Sequence, residues 1–224
     1  MAITVGCDIG QSVDCSGIVV VSSYVPEPTH VDDRPEMRHR VRWVEKIPLG
    51  TGYPAVVERI VTVAEAAAYH GPPVIVLDAT GVGRPILDML RQRTSISIRA
   101  VTYTGAAKES QTDAYSYRVP KRDLMATLEL VLERDLIETV PDLPLAEDLE
   151  AEIRNFKWTT SDRGHTTYEG HHGTHDDLVN ALCLALWGAT RRGSADAMIG
   201  AVRRLTERAL GRVAGMPPLT RELA

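Results

Sequence analysis

Val74-Ile75-Val76-Leu77 is an unbroken apolar run that ends at Asp78. Bounded by Pro73 on one side and by the turn residues Gly81 and Gly83 on the other, it reads as a short strand with both faces buried. Strands of that kind belong to parallel sheets covered by helices. The flanking sequence agrees. Val56, Val57, Ile60, Val63, Ala64 and Ala67 recur at helical spacing, and His70-Gly71-Pro72-Pro73 stops that helix. A second helix over Pro85 to Arg93 and another apolar run, Ile96 to Val101, follow. The expected architecture is therefore α/β, with a mixed sheet whose parallel part carries helices.

Upstream, Ala2 to Cys7, Gly17 to Ser22 and Arg38 to Ile47 read as three strands, the last two separated by a Pro/Asp-rich stretch. Downstream, residues 104–118 are polar and read as a loop. Helices are expected over 121–135 and 144–155, then a hairpin pairing Phe156 to Trp158 with Thr166 to Glu169. The last strong helix runs from Asp176 to Thr190, with Leu178, Ala181, Leu182, Ala185 and Leu186 along it. Residues 1–190 thus form one domain, and 191–224 a basic helical C-terminal tail.

With 224 residues, 44% hydrophobic and 25% charged, the chain has an ordinary globular composition, which excludes a disordered chain, a collagen or a dominant coiled coil. Cys7, Cys15 and Cys183 lack metal-site spacing and are expected to be reduced and largely buried. No secretory leader is recognisable, and no apolar run reaches the roughly 18 residues that would span a bilayer. A soluble, cytoplasmic protein with no membrane partner is expected. The net charge of -5 argues against a simple basic nucleic-acid coat.

Carboxylates fall where α/β sheets collect active sites. Asp8 ends the first strand, Asp78 ends the fourth, and Asp176 and Asp177 open the last helix. Singly, each has an ordinary role available, as a turn residue or a helix N-cap. Together, converging carboxylates repel unless cations offset them, and hard oxygen donors point to Mg²⁺ or Mn²⁺.

The order Gly-x-Asp-x-Gly-x-Ser-x-Asp (6–14), Val-Leu-Asp-Ala-Thr-Gly-Val-Gly (76–83) and His-Asp-Asp-Leu-Val-Asn-Ala-Leu (175–182) resembles the nuclease domain of phage large terminases, in the RNase H-like (RuvC-like) superfamily. The resemblance spans roughly residues 3–190. It implies a mixed central sheet, its first three strands antiparallel and the later ones parallel, flanked by helices. It further implies a metal-dependent endonuclease that cuts double-stranded DNA with two bound Mg²⁺ or Mn²⁺ ions. Asp8, Asp78 and Asp177 would be the catalytic metal ligands, Asp176 an auxiliary ligand or helix cap, and Asp14 an outer residue or second-metal ligand. Setting those five aspartates aside leaves acidic and basic residues equal in number, so the net charge no longer opposes DNA binding.

No Walker A sequence occurs, so the packaging motor of such enzymes is not expected in this chain. Gly81 and Gly83 then serve the tight turn that exposes Asp78. Lys108, Arg118, Lys121 and Arg122, interleaved with Tyr103, Tyr115 and Tyr117, are candidate DNA contacts, as are His171 and His172. The cluster His165, His171, His172 and His175 has no cysteine nearby and matches no closed zinc site; His175 is expected to position the helix start. Expected partners are DNA and a packaging ATPase, portal or small terminase subunit, with the host-cell cytoplasm as location. A junction resolvase or transposase-like nuclease is the neighbouring enzyme reading. An actin-like or sugar-kinase-type nucleotide-binding domain and an inactive interaction module rank below it.

Overall fold

The structure, a computed structural model, describes residues 1–10, 15–27, 30, 35–81, 83–160, 166–170 and 176–191. Asp14, His165, His171, His172, His175 and the tail from 192 onward lie outside the described residues. Three antiparallel strands open the chain: β1 (Ala2–Asp8), β2 (Ser16–Tyr24) and β3 (Arg38–Ile47). Helix α1 (Tyr53–Ala67) leads through a 3₁₀ turn to β4 (Pro73–Asp78), α2 (Gly83–Arg93) and β5 (Ser97–Thr104). There follow β6 (Ser110–Asp113), β7 (Ser116–Pro120), α3 (Lys121–Glu133), β8 (Ile137–Thr139) and α4 (Ala146–Asn155). The hairpin β9 (Phe156–Thr160) and β10 (Thr166–Gly170) comes next, and then α5 over 177–191.

The central sheet has eight strands in the order β6-β7-β5-β4-β1-β2-β3-β8. β1 pairs with β4, β4 with β5, and β5 with β7, all parallel. The mixed α/β sheet expected from the sequence is thus present. Three strands, β6, β7 and β8, were not expected. Residues 104–118 are not a loop throughout but hold β6 and most of β7, which extend the sheet at one edge. Ser110–Asp113 is polar and exposed at every position, so no alternation betrays it; its antiparallel ladder to β7 defines it. β8, at the opposite edge, is three residues long and pairs parallel with β3. Polar, short edge strands also discourage pairing with other chains.

Alternation along the strands divides the core in two. Ile3, Val5, Cys7, Ile75 and Leu77 face α1 and α2, whereas Val19, Val21, Val74 and Val76 face α3, α4 and α5. Helix α5 is buried at every position from 177 to 189, as expected of a helix apolar nearly all round. It lies almost directly on the strand backbones. A Cβ at Gly6 would sit 2.0 Å from the Ala181 carbonyl oxygen, and one at Gly17 would sit 2.4 Å from that of Asp177. At the far end of α5, Trp187 Nε1 donates to Glu109 at 3.2 Å, and Arg191 pairs with the same carboxylate while stacking 4.5 Å over the Trp187 ring. All three cysteines are free; Cys7 and Cys183 are buried and Cys15 is half-buried.

Two stability predictions follow from this packing. Gly6→Ala drives a methyl into backbone that has nowhere to go and is expected to cost at least about 2 kcal/mol in denaturant melts. His39, on β3 beside β8, is buried with its Nδ1 2.8 Å from Ser23 Oγ, and burial lowers its pKa from 6.5 to about 4. The unfolded imidazole takes up its proton first as pH falls. Stability held in full above about 6.5 is therefore lost progressively down to about 4, by up to about 3 kcal/mol. Urea titrations are expected to show a shallower loss over that window for His39→Asn, which cannot charge.

Candidate metal centre

β1 and β4 are neighbouring parallel strands whose C-terminal ends coincide, with Cys7 in register with Leu77. Asp8 and Asp78, each the last residue of its strand, therefore leave the sheet side by side. Because Cys7 and Leu77 point into the α1/α2 core, alternation turns both aspartates to the α5 face. Asp177 arrives there from the opposite direction as the first residue of α5. Its backbone rests on Gly17, and Gly17 is the β2 partner of Asp8. The turn after β4 needs the positive φ of Gly81, 60°. The Thr80 N–H donates back to Asp78 Oδ1 at 2.7 Å and fixes that side chain.

The carboxylates sense one another. Burial, then the charge of Asp78 and those of Asp176 and Asp177, raise the Asp8 pKa well above the usual carboxylate range, against the amide of Asn180, which donates to it. Asp78 is also raised by burial, opposed by its bonds to Thr80 and by the Lys121 ammonium. Lys121 opens α3 with its Nζ 3.7 Å from Asp176 Oδ2, 5.8 Å from the Tyr103 ring centre and 5.9 Å from that of Phe156. Burial and the nearby Asp78 and Asp8 charges push the Tyr103 phenol well up. Lys46 borders the cluster from β3. Burial pulls its pKa down, but its bond to Glu152 and the charges of Glu152, Asp177 and Asp148 outweigh that and raise it.

Among the described residues, no group of three or more His, Cys, Asp or Glu side chains forms a ready-made ligand set. The donors present nonetheless suit a hard divalent ion. Two half-buried carboxylates stand at adjacent strand ends, and Asn180 Oδ1 is buried without a hydrogen-bond partner. Mg²⁺ binds through one or two carboxylates and keeps several waters, so it needs no closed cage of protein groups. Burial pushes up the thiols of Cys7, beside Asp8, and of Cys183, which disfavours a soft metal.

The sequence-derived contacts separate on the structure. Lys121 borders the carboxylates, next to Asp176. Arg122 is exposed and donates to the Ala107 carbonyl at 2.5 Å, and Lys108 is exposed between β5 and β6. Arg118 alternates with the core-facing Tyr117 and Val119 and so lies on the opposite face of the sheet. There it shares a cavity of about 420 Å³ with Arg84. The side chain that caps the first turn of α5 is that of Glu152 on α4, not that of Asp176. Glu152 falls on the apolar stripe Leu149, Glu152, Ile153, Phe156. An acid at such a position is the one sequence signal that points to it.

The sequence matches no protein-family model and no curated protein. Solved structures do match its fold. The large terminase nuclease from thermophilic phage G20c is 20% identical, with 82% of this chain and 80% of that one covered and a TM-score of 0.56. The same nuclease with bound magnesium gives 19%, 83%, 80% and 0.54. The nuclease domain of the bacteriophage SPP1 large terminase, with bound Mn, gives 15%, 84%, 87% and 0.50. The fold is that of a large terminase nuclease domain.

Raised carboxylate pKa values mean that charging the site opposes folding: the metal-free chain loses stability as pH rises through the raised values. Asp78→Asn is accordingly expected to raise the thermal midpoint of the metal-free protein at pH 8. Added Mn²⁺ is expected to stabilise the parent more than the variant.

Proposed function

We propose that this chain is a divalent-metal-dependent DNA endonuclease of the large terminase type, hydrolysing phosphodiester bonds of double-stranded DNA. The observation that carries the reading is the convergence of Asp8, Asp78 and Asp177 from β1, β4 and α5 at one end of the sheet. It gains support from the fold, and from neighbours of that fold solved with magnesium, cobalt or manganese. Asp8, Asp78 and Asp177 would hold Mg²⁺ or Mn²⁺, with Asp176 auxiliary and Asp14 serving a second ion. The chemistry such a pair of ions would supply there is activation of a water and stabilisation of charge on the departing oxygen.

The chain's own groups prepare that chemistry. Asn180 and Thr80 orient Asp8 and Asp78 by donating to them. Lys121 offsets part of the negative charge and, with Tyr103 and Phe156 beside it, offers a phosphate partner and flat apolar surface at the mouth of the cluster. Lys108, Arg122, His171 and His172 would extend the DNA contact outward. The 191–224 segment would dock a packaging ATPase, portal or small terminase subunit, in the host cytoplasm.

Supercoiled plasmid incubated with Mg²⁺ or Mn²⁺ is expected to be nicked and linearised, and Asp78→Ala to lower the rate by more than about a hundredfold, a larger loss than outer partners of a metal site produce. Undiminished cutting by Asp78→Ala, or cutting that persists in EDTA, would sink the mechanism. Intact plasmid with retained DNA binding would favour an interaction module. Preferential cutting of four-way junctions would favour a resolvase.

A further inference from the structure

Among the described residues, Glu152 is the most deeply buried acid outside the proposed ligands, its side chain 8% exposed. Its Oε2 accepts the N–H groups of Leu178 at 2.8 Å and Val179 at 3.1 Å. These are two of the first-turn donors that a helix cannot satisfy internally. Its Oε1 lies 2.6 Å from Lys46 Nζ on β3. One carboxylate thus joins α4, the sheet and the first turn of α5, and the two residues it holds follow Asp177 directly. On the other side Gly17 lets the Asp177 carbonyl rest against β2. The backbone of Asp177 is clamped from both directions, while the Asp176 carboxylate faces the Lys121 ammonium. Stability alone is a weak reason to bury such a pair, since apolar side chains of similar volume often serve as well or better.

We propose that the Glu152–Lys46 pair is a positioning device for the metal centre: it fixes the first turn of α5 and thereby the direction in which Asp177 presents its carboxylate to a divalent ion. In this role the pair would act through the α5 backbone and not as a ligand to the ion. The inference rests on the site reading given above, and it goes further by assigning residues that fix the geometry from outside the ligand set. Partners of this kind, which orient ligands, typically govern metal affinity or activity by 10- to 100-fold.

The test compares the parent with Glu152→Gln, Lys46→Met and Asp177→Asn. The readouts are thermal midpoint, amide hydrogen exchange at Leu178 and Val179 without metal, Mn²⁺ affinity by calorimetry, and kcat and KM on DNA. Both positioning variants are expected to exchange faster at those amides and to bind Mn²⁺ at least about tenfold more weakly. Their kcat is expected to fall while KM for DNA stays within about twofold of the parent. A folded Glu152→Gln protein with parental Mn²⁺ affinity and kcat overturns the proposal even if its exchange accelerates, because a merely structural cap would behave that way. Unchanged exchange overturns it as well. If Glu152→Gln does not fold, Lys46→Met, at a side chain 27% exposed, decides by the same criteria. Parental Mn²⁺ affinity in Asp177→Asn would defeat the ligand assignment and the proposal with it. The metal-free exchange data would still report whether the clamp itself exists, so the two failures are distinguishable.

Discussion

Everything at the carboxylate end depends on how closely α5 can approach the sheet. A helix normally packs on strands through side chains, which hold the two backbones apart. Here Gly6 and Gly17 remove the side chains beneath Ala181 and Asp177, and the helix backbone settles onto the strand backbone. That descent brings the first residue of a helix level with the last residue of β1. The apolar circumference of α5 then makes the arrangement stable, because α3, α4 and the sheet all contribute to the core around it. Either glycine replaced by a larger residue would lift the helix and separate Asp177 from Asp8 without altering a single carboxylate.

The same closeness makes the site expensive. Asp8 and Asp78 lose hydration and gain each other's field, and nearby Asp176 and Asp177 add to the field on Asp8. Lys121 and Lys46 flank the cluster and recover part of that cost. Neither is placed to neutralise it outright. Bringing these acids together disfavours their charged forms, and a hard cation entering among them would offset that cost.

Much of this was legible in the sequence, for physical reasons that differ by element. β4 announced itself because a strand covered on both faces must be apolar at every position, and Asp78 stood out as the abrupt end of that run. β1 and Asp8 were visible in the same way. β6 and β8 were not: β6 is polar and exposed at every position, and β8 is three residues long and defined by its pairing with β3, distant in sequence. The opposite orientations of Arg118 and Lys121 could not be seen while 104–118 read as a loop, since only a strand imposes alternation. Glu152 lies 25 residues before Asp177, and its role exists only once α4 and α5 have met. Its trace in the sequence is the one charge on an apolar helix stripe.

The latch of Trp187 and Arg191 on Glu109 sets a distance as well as a contact. From residue 177 to 191 the helix rises about 20 Å at 1.5 Å per residue, so Glu109 holds the end of α5 about that far along the helix from Asp177. Any displacement at that anchored end is carried to Asp177 by a helix buried at every position from 177 to 189.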